Sequence, residues 1–264
     1  MNPKWSVAEI RERLKDIILR SGTAYKLFLQ CEWGASGHPE RPSSAYKNSV
    51  LKRRQEWEES TNEIRSLGLF SHIDLPKNWD SLKALECILE NTVTTSSILD
   101  AGSELYSVIL QWLFLYGYKS LTGINLVFNR NLNRGPVRYE YGDIVKTRFS
   151  DNAFSAVTCL SVIEHGVDLG AFFRESSRIL KRGGTLVVST DYYPEPIDTS
   201  GKEMFGAPLH IFSREEILSV IDMAGQSGLE LTMSLDLDAQ EKAVYWKDFD
   251  LEYTFLIFAL RKNC

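Results

Sequence analysis

Chemistry in this 264-residue chain concentrates in four short segments. The first is Ile98-Leu99-Asp100-Ala101-Gly102-Ser103-Glu104-Leu105-Tyr106, where a carboxylate and a glycine close an apolar run. A glycine at such a point lets the backbone turn tightly against a ligand, and a following helix start favours an anionic group. The second is Thr122-Gly123-Ile124-Asn125-Leu126, with an amide at the place where a carboxylate usually accepts both hydroxyls of a ribose. The third is Tyr141-Gly142-Asp143-Ile144, and the fourth is Leu160-Ser161-Val162-Ile163-Glu164-His165. Each is a polar or glycine-bearing exit from an apolar strand. Their order along the chain, more than any one of them, points to a nucleotide-type ligand.

These exits imply elements that hold them. Strands are expected at 97–101, 120–124, 137–141, 156–160 and 185–189, with helices at 105–116 and 169–180. Ser213 and Glu216 read as a capping box opening a helix that runs through Ala224, and strands near 229–234 and 252–260 finish the chain. Strand–helix alternation of this kind predicts an α/β fold: a mostly parallel sheet with helices on both faces and an antiparallel C-terminal edge hairpin. In such sheets ligands bind beyond the carboxyl ends of the strands, where the strand order reverses. Glu164 reads as a helix N-terminal charge, with His165 opening the helix.

Residues 1–95 read differently, as a helical cap preceding the α/β domain of residues 96–264. Ser6 and Glu9 suggest a capping box, with Val7, Ile10, Leu14, Ile17 and Ile18 at helical spacing. A second helix is expected over 45–67, ended by Gly68, and a third after Asp80. Trp79 reads as a packing anchor.

Composition bounds the function. The chain is 44% hydrophobic and 25% charged, with formal net charge −5, as expected of a globular protein rather than a disordered or collagen-like one. The acidic excess lies in residues 96–264, so a nucleic-acid groove is not expected. Cys31, Cys87, Cys159 and Cys264 are far apart, as are the four histidines, so neither a zinc motif nor a disulfide framework is expected. The longest apolar runs, 108–118 and 253–260, are short of a membrane span. A reduced, cytoplasmic setting is expected, with a small-molecule substrate as partner, no membrane, and self-association left open.

The chain resembles the class I S-adenosylmethionine-dependent methyltransferases from Ser96 to Lys262. The resemblance rests on Ile98–Gly102, on Gly142-Asp143-Ile144, on the segment Phe154–His165 ending in Ser-Val-Ile-Glu-His, and on Arg178-Ile179-Leu180-Lys181-Arg182-Gly183-Gly184 leading into Thr185–Thr190. A weaker likeness, to bacterial members linked to glycan or small-metabolite pathways, rests on Pro76–Asp80 and Thr190–Gly201. The resemblance implies a Rossmann-like sheet and S-adenosylmethionine as cofactor. It places the methionine end at Asp100, Gly102, Ser103, Glu104 and Tyr106, the ribose at Asn125, and the adenine edge at Asp143 and Ile144. Ser161 and Val162 would flank the sulfonium.

Glu104 and Tyr106 stand where this family usually has glycines, and Asn125 stands where it has an acid. Two functions follow as expectations. One is methyl transfer to oxygen or nitrogen of a small polar metabolite or sugar-derived acceptor, with His165, Asp191 or His210 as a base. The other is a binding or scaffold protein that keeps the fold without catalysis. The long segment 191–210, with Tyr192 and Tyr193, is the expected substrate loop. A nicotinamide-dependent oxidoreductase is disfavoured, because residues 102–107 lack the Gly-x-Gly-x-x-Gly turn.

Overall fold

A computed structural model describes residues 6–263. The N-terminal part comprises α1 (Val7–Ile18), α2 (Gly22–Trp33), the short strand β1 (Ser49–Val50), α3 (Arg54–Ser66) and α4 (Lys77–Asn91). The alternating part follows as β2 (Ser97–Ala101), α5 (Ile109–Leu115), β3 (Ser120–Asn125), β4 (Leu132–Arg134), β5 (Val137–Tyr141), β6 (Phe154–Leu160), α6 (Leu169–Ile179) and β7 (Leu180–Tyr192). Then come β8 (Glu203–Met204), β9 (Ala207–Pro208), α7 (Arg214–Gln226), β10 (Leu229–Leu231), β11 (Val244–Trp246) and β12 (Leu251–Lys262). The Glu9 half of the expected first capping box lies outside the side chains described.

The sheet runs β1-β12-β7-β6-β2-β3-β5-β4. β2, β3, β5, β6 and β7 are parallel, and β12 runs antiparallel to β7. From β2 the chain moves outward through β3 and β5, then returns to place β6 on the other side of β2. The order therefore reverses between β2 and β6, which puts a crevice beyond their carboxyl ends. Central strands are buried on both faces and read as near-continuous apolar runs, as in Ala156–Cys159 and Leu186–Val188. One face packs under α4 and α5 (Trp79, Leu82, Trp112, Val187, Phe255) and the other under α6 and α7 (Leu99, Val157, Phe172, Phe173, Ile217).

Local chemistry sets the helix ends. Asp168 accepts from the Ala171 amide at 2.9 Å to open α6, and Ser213 with Glu216 forms the expected capping box of α7. The hairpin of β10 and β12 is also present. Three expectations are corrected. The helix over 45–67 is split: Ser49 and Val50 pair with Ile257 and Leu256 of β12, and α3 begins only at Arg54. Asn48 drives this, since its side-chain oxygen accepts from the Ala259 amide at 2.8 Å and its amide donates to Met233 O at 3.0 Å. The helix after the Gly102 turn starts at Ile109, not Leu105. The Gln111 amide bonds the carbonyls of Leu105 and Ser107 at 2.9 and 3.1 Å, holding that stretch as a loop. No helix opens at Glu164 or His165; α6 begins four residues past His165.

Among the described residues, no helix is long and apolar enough to cross a membrane, and no group of three or more His, Cys, Asp or Glu could hold a metal ion.

Candidate active site

The crevice is built from the ends of β2 and β6. Asp100 lies buried near the end of β2 and accepts from Thr158 Oγ1 of β6 at 2.7 Å, while burial pushes its carboxyl above the usual range. Gly102 follows with φ of 89°, its amide donating to Ile124 O at 2.9 Å. A Cβ there would stand 2.4 Å from Val162 Cγ2, so the turn and the exit of β6 are in contact. Gly102→Ala is expected to cost about 2–4 kcal/mol, from the left-handed backbone and the overlap together. A melting temperature within a degree of the parent would contradict this.

The rest of the first turn is partly open. Ser103 is buried, with its hydroxyl unpartnered and pressed toward Gly123 of β3. Glu104 is half-buried, which raises its carboxyl, and its amide donates to Ser107 Oγ at 2.9 Å. Tyr106 is exposed and meets the ring of His72 edge-on at 5.9 Å. The loop ahead of α4 thus reaches the first turn.

At the end of β3, the Asn125 amide donates to Gly102 O at 3.1 Å and its oxygen accepts from the Val127 amide at 3.2 Å. Both ends of that side chain are engaged within the protein. After β5, Asp143 Oδ1 accepts from the Val145 amide at 3.0 Å, an Asx turn that leaves its second oxygen for a ligand. Ile144 packs on the core behind it, and a cavity of about 320 Å³ lies alongside, lined by Tyr141, Gly142, Asp143, Lys146, Thr147 and Arg148.

At the end of β6, Ser161 takes φ of 52°, unusual for a residue with a side chain. Its amide donates to Ser189 O at 3.0 Å, and its hydroxyl meets both Lys77 Nζ and Asp80 Oδ2. Asp191, near the end of β7, is 3% exposed and 3.7 Å from Lys77 Nζ. Burial raises its carboxyl to about 6. His165 is half-buried, its Nδ1 without a partner; burial first and Lys77 second bring it down to about 4, so the ring is neutral near pH 7.

His210 is the outlier among the expected bases. Its Nε2 pairs with Glu216 Oε1 at 3.0 Å, so α7 takes the imidazole up. Tyr192 is also a core residue, donating to Leu237 O at 2.9 Å. Three residues enter the site without having been expected there: Lys77, Asp80 and Glu164. Glu164 is 1% exposed, its Oε2 accepting from Thr190 Oγ1 at 3.1 Å, so it is an internal carboxyl rather than a helix-end charge.

The donor set suits S-adenosylmethionine in its two outer parts. Glu104 offers a partly exposed carboxylate to the methionine ammonium, and Asp143 with Ile144 offers a polar edge and an apolar wall to adenine. At Asn125, where the resemblance would put the ribose, the side chain is already bonded at both ends within the protein.

Residues 99–188 match the family model of a methyltransferase domain. Among solved structures, the chain is similar to geranyl diphosphate C-methyltransferase from Streptomyces coelicolor A3(2), at 16% identity and a TM-score of 0.52, over 90% of this chain and 98% of that one. It is also similar to 1,6-didemethyltoxoflavin-N1-methyltransferase from Burkholderia thailandensis, at 14% identity and a TM-score of 0.51, over 80% and 87% of the two chains. At such identities the likeness speaks for the fold.

Proposed function

We propose, from the premise that this chain carries a class I S-adenosylmethionine-dependent methyltransferase domain, that it methylates oxygen or nitrogen of a small polar metabolite or sugar-derived acceptor. The observation that carries the proposal is the meeting of Gly102 with Val162 at the point where the strand order reverses. The cofactor, when bound, supplies a methyl group on a cationic sulfur, open to displacement by a nucleophile. Glu104, Asn125, Asp143 and Ile144 would hold it, as their donors and acceptors allow.

Alignment is the main work left to the protein in such a transfer, together with keeping water out. Ser161 and Val162 would wall the acceptor side, and the loop ahead of α4 would cover it. Asp191 is the better candidate to accept a proton from the acceptor: its carboxyl is held near 6, against about 4 for His165.

The scaffold reading has its own support, because the amide of Asn125 is bonded at both ends inside the protein. Calorimetry with S-adenosylhomocysteine separates the two. A saturable heat is expected from the enzyme, with a matching rise in melting temperature. No heat and no thermal shift at millimolar ligand would leave the scaffold reading.

A further inference from the structure

Four charged side chains meet where α4 crosses the carboxyl ends of β6 and β7. Lys77 and Asp80 lie one helical turn apart on α4, Asp191 is on β7, and Glu164 is in the turn after β6. Asp80 and Glu164 are each 1% exposed and Asp191 3%. Lys77 is the cation among them. Its Nζ bonds Ser161 Oγ, lies 3.7 Å from Asp191 Oδ1, and sits 3.9 Å from the centre of the Phe255 ring.

The pairing is incomplete. Asp80 Oδ2 accepts from Ser189 Oγ at 2.6 Å, but Asp80 Oδ1 is buried with no donor, and Asp191 Oδ1 has only its 3.7 Å ion pair with Lys77 and no hydrogen bond. Buried carboxylate oxygens are costly unless paired and hydrogen-bonded. With Glu164 holding its proton near neutrality, two aspartates still face one ammonium. An aromatic face with carboxylates around it is an arrangement that holds ammonium groups. Here it holds one already, at the end of a flexible lysine stem whose side chain stays 19% exposed.

We propose that this cluster is the acceptor subsite and that it selects a substrate carrying a protonated amine, which takes the Phe255 face, the unpartnered Asp80 Oδ1 and the Asp191 Oδ1 that Lys77 gives up as it shifts toward solvent. Lys77 is then an internal stand-in for the ligand, and a specificity-determining residue. The word acceptor rests on the methyl-transfer reading above; the ammonium site itself does not.

The probe is n-butylammonium, compared with n-butanol, by thermal shift and calorimetry with and without S-adenosylhomocysteine. Butylammonium is expected to bind saturably and raise the melting temperature, and butanol to do neither. Lys77→Met removes the internal competitor, so affinity for butylammonium rises about tenfold, while Asp191→Asn lowers it about tenfold. If Lys77→Met is unstable by itself, butylammonium restores its folding and butanol does not. Should Asp191→Asn fail to fold, the unmodified protein carries the same test. Its butylammonium binding weakens from pH 7 to pH 5 as Asp191 takes a proton, facing Lys77 and Asp80 of α4, Asp74 ahead of α4, Glu164 and Tyr253 of β12. Equal responses to the two probes, or no gain in Lys77→Met, overturn the proposal. Butylammonium binding without any S-adenosylhomocysteine binding upholds the ammonium site and removes the methyl-transfer reading. The converse removes the amine alone.

Discussion

A chain beginning at residue 96 is expected to be insoluble or unfolded, although the whole matched methyltransferase segment would be present. α4 carries Leu82, Ala84, Leu85 and Ile88 at 0% exposure and Trp79 at 3%, in one core with Val187, Phe255 and Ile257 of the sheet. At roughly 1.5–3 kcal/mol for each large apolar side chain buried, losing α4 alone removes about 10 kcal/mol. A whole domain is stable by only about 5–15 kcal/mol. Polar ties go as well. Trp112 Nε1 donates to Phe70 O at 3.0 Å, and Thr254 Oγ1 donates to Leu51 O. Deleting β1 also bares part of β12, an apolar edge open to pairing with other chains. Expression and circular dichroism check this. A soluble 96–264 chain with a cooperative melt would show that the N-terminal segment is an accessory, not part of the core.

The parallel strands were legible because each is an apolar run bounded by a turn signal, and the structure places β2 and β5 at the residues expected. The N-terminal segment was less so. Helical spacing over 45–67 carries no trace of a pairing with β12, some two hundred residues on, which is made by the backbone of residues 49–51 and the buried Asn48 side chain. The loop at 102–108 escaped for a nearer reason. Its residues suit a helix, but the Gln111 amide satisfies two carbonyls that a helix would have used.

Site residues divide in the same way. Asp100, Gly102, Asp143, Ser161 and Val162 are strand exits, and their place follows from the order of strands. Lys77 and Asp80 depend on partners on β6 and β7, far along the chain, so no local pattern marks them as a pair. The one signal was the segment Pro76-Lys77-Asn78-Trp79-Asp80, where two opposite charges stand one turn apart at the start of a helix. Glu164 looked like a helix-end charge because Glu-His after a strand suits that role. Its burial against Thr190 is a tertiary fact. The imidazole of His210 was taken up by Glu216, the same residue that completes the capping box of α7.

The melting temperature is expected to fall by roughly 5 °C between pH 6.5 and pH 8, and Glu164→Gln to abolish most of that fall. Burial, then the charge of Asp191, pushes the Glu164 carboxyl up to about 8, against 4.5 when unfolded. The native protein thus keeps a proton that the unfolded chain has released, and this stabilisation is full below 4.5 and lost as pH rises through 8. Asp191 behaves likewise in a lower window, from 3.8 to about 6. His165 acts in the opposite sense: held down to about 4 from 6.5, it costs stability as pH falls through that range. Below pH 6.5 these effects oppose one another. Between 6.5 and 8 Glu164 dominates, at up to about 1.4 kcal/mol per pH unit and about 2 kcal/mol in all, while the tails of the other two titrations are worth only a few tenths and oppose each other. Glutamine keeps the size of the side chain and an acceptor for Thr190 without the proton. Parallel decline of parent and variant would place the titration elsewhere. The same proton sets the charge of the cluster around Lys77. Once Glu164 ionises, three carboxylates face one ammonium, so butylammonium, itself protonated to about pH 10, should bind more tightly above pH 8 in the parent and not in Glu164→Gln.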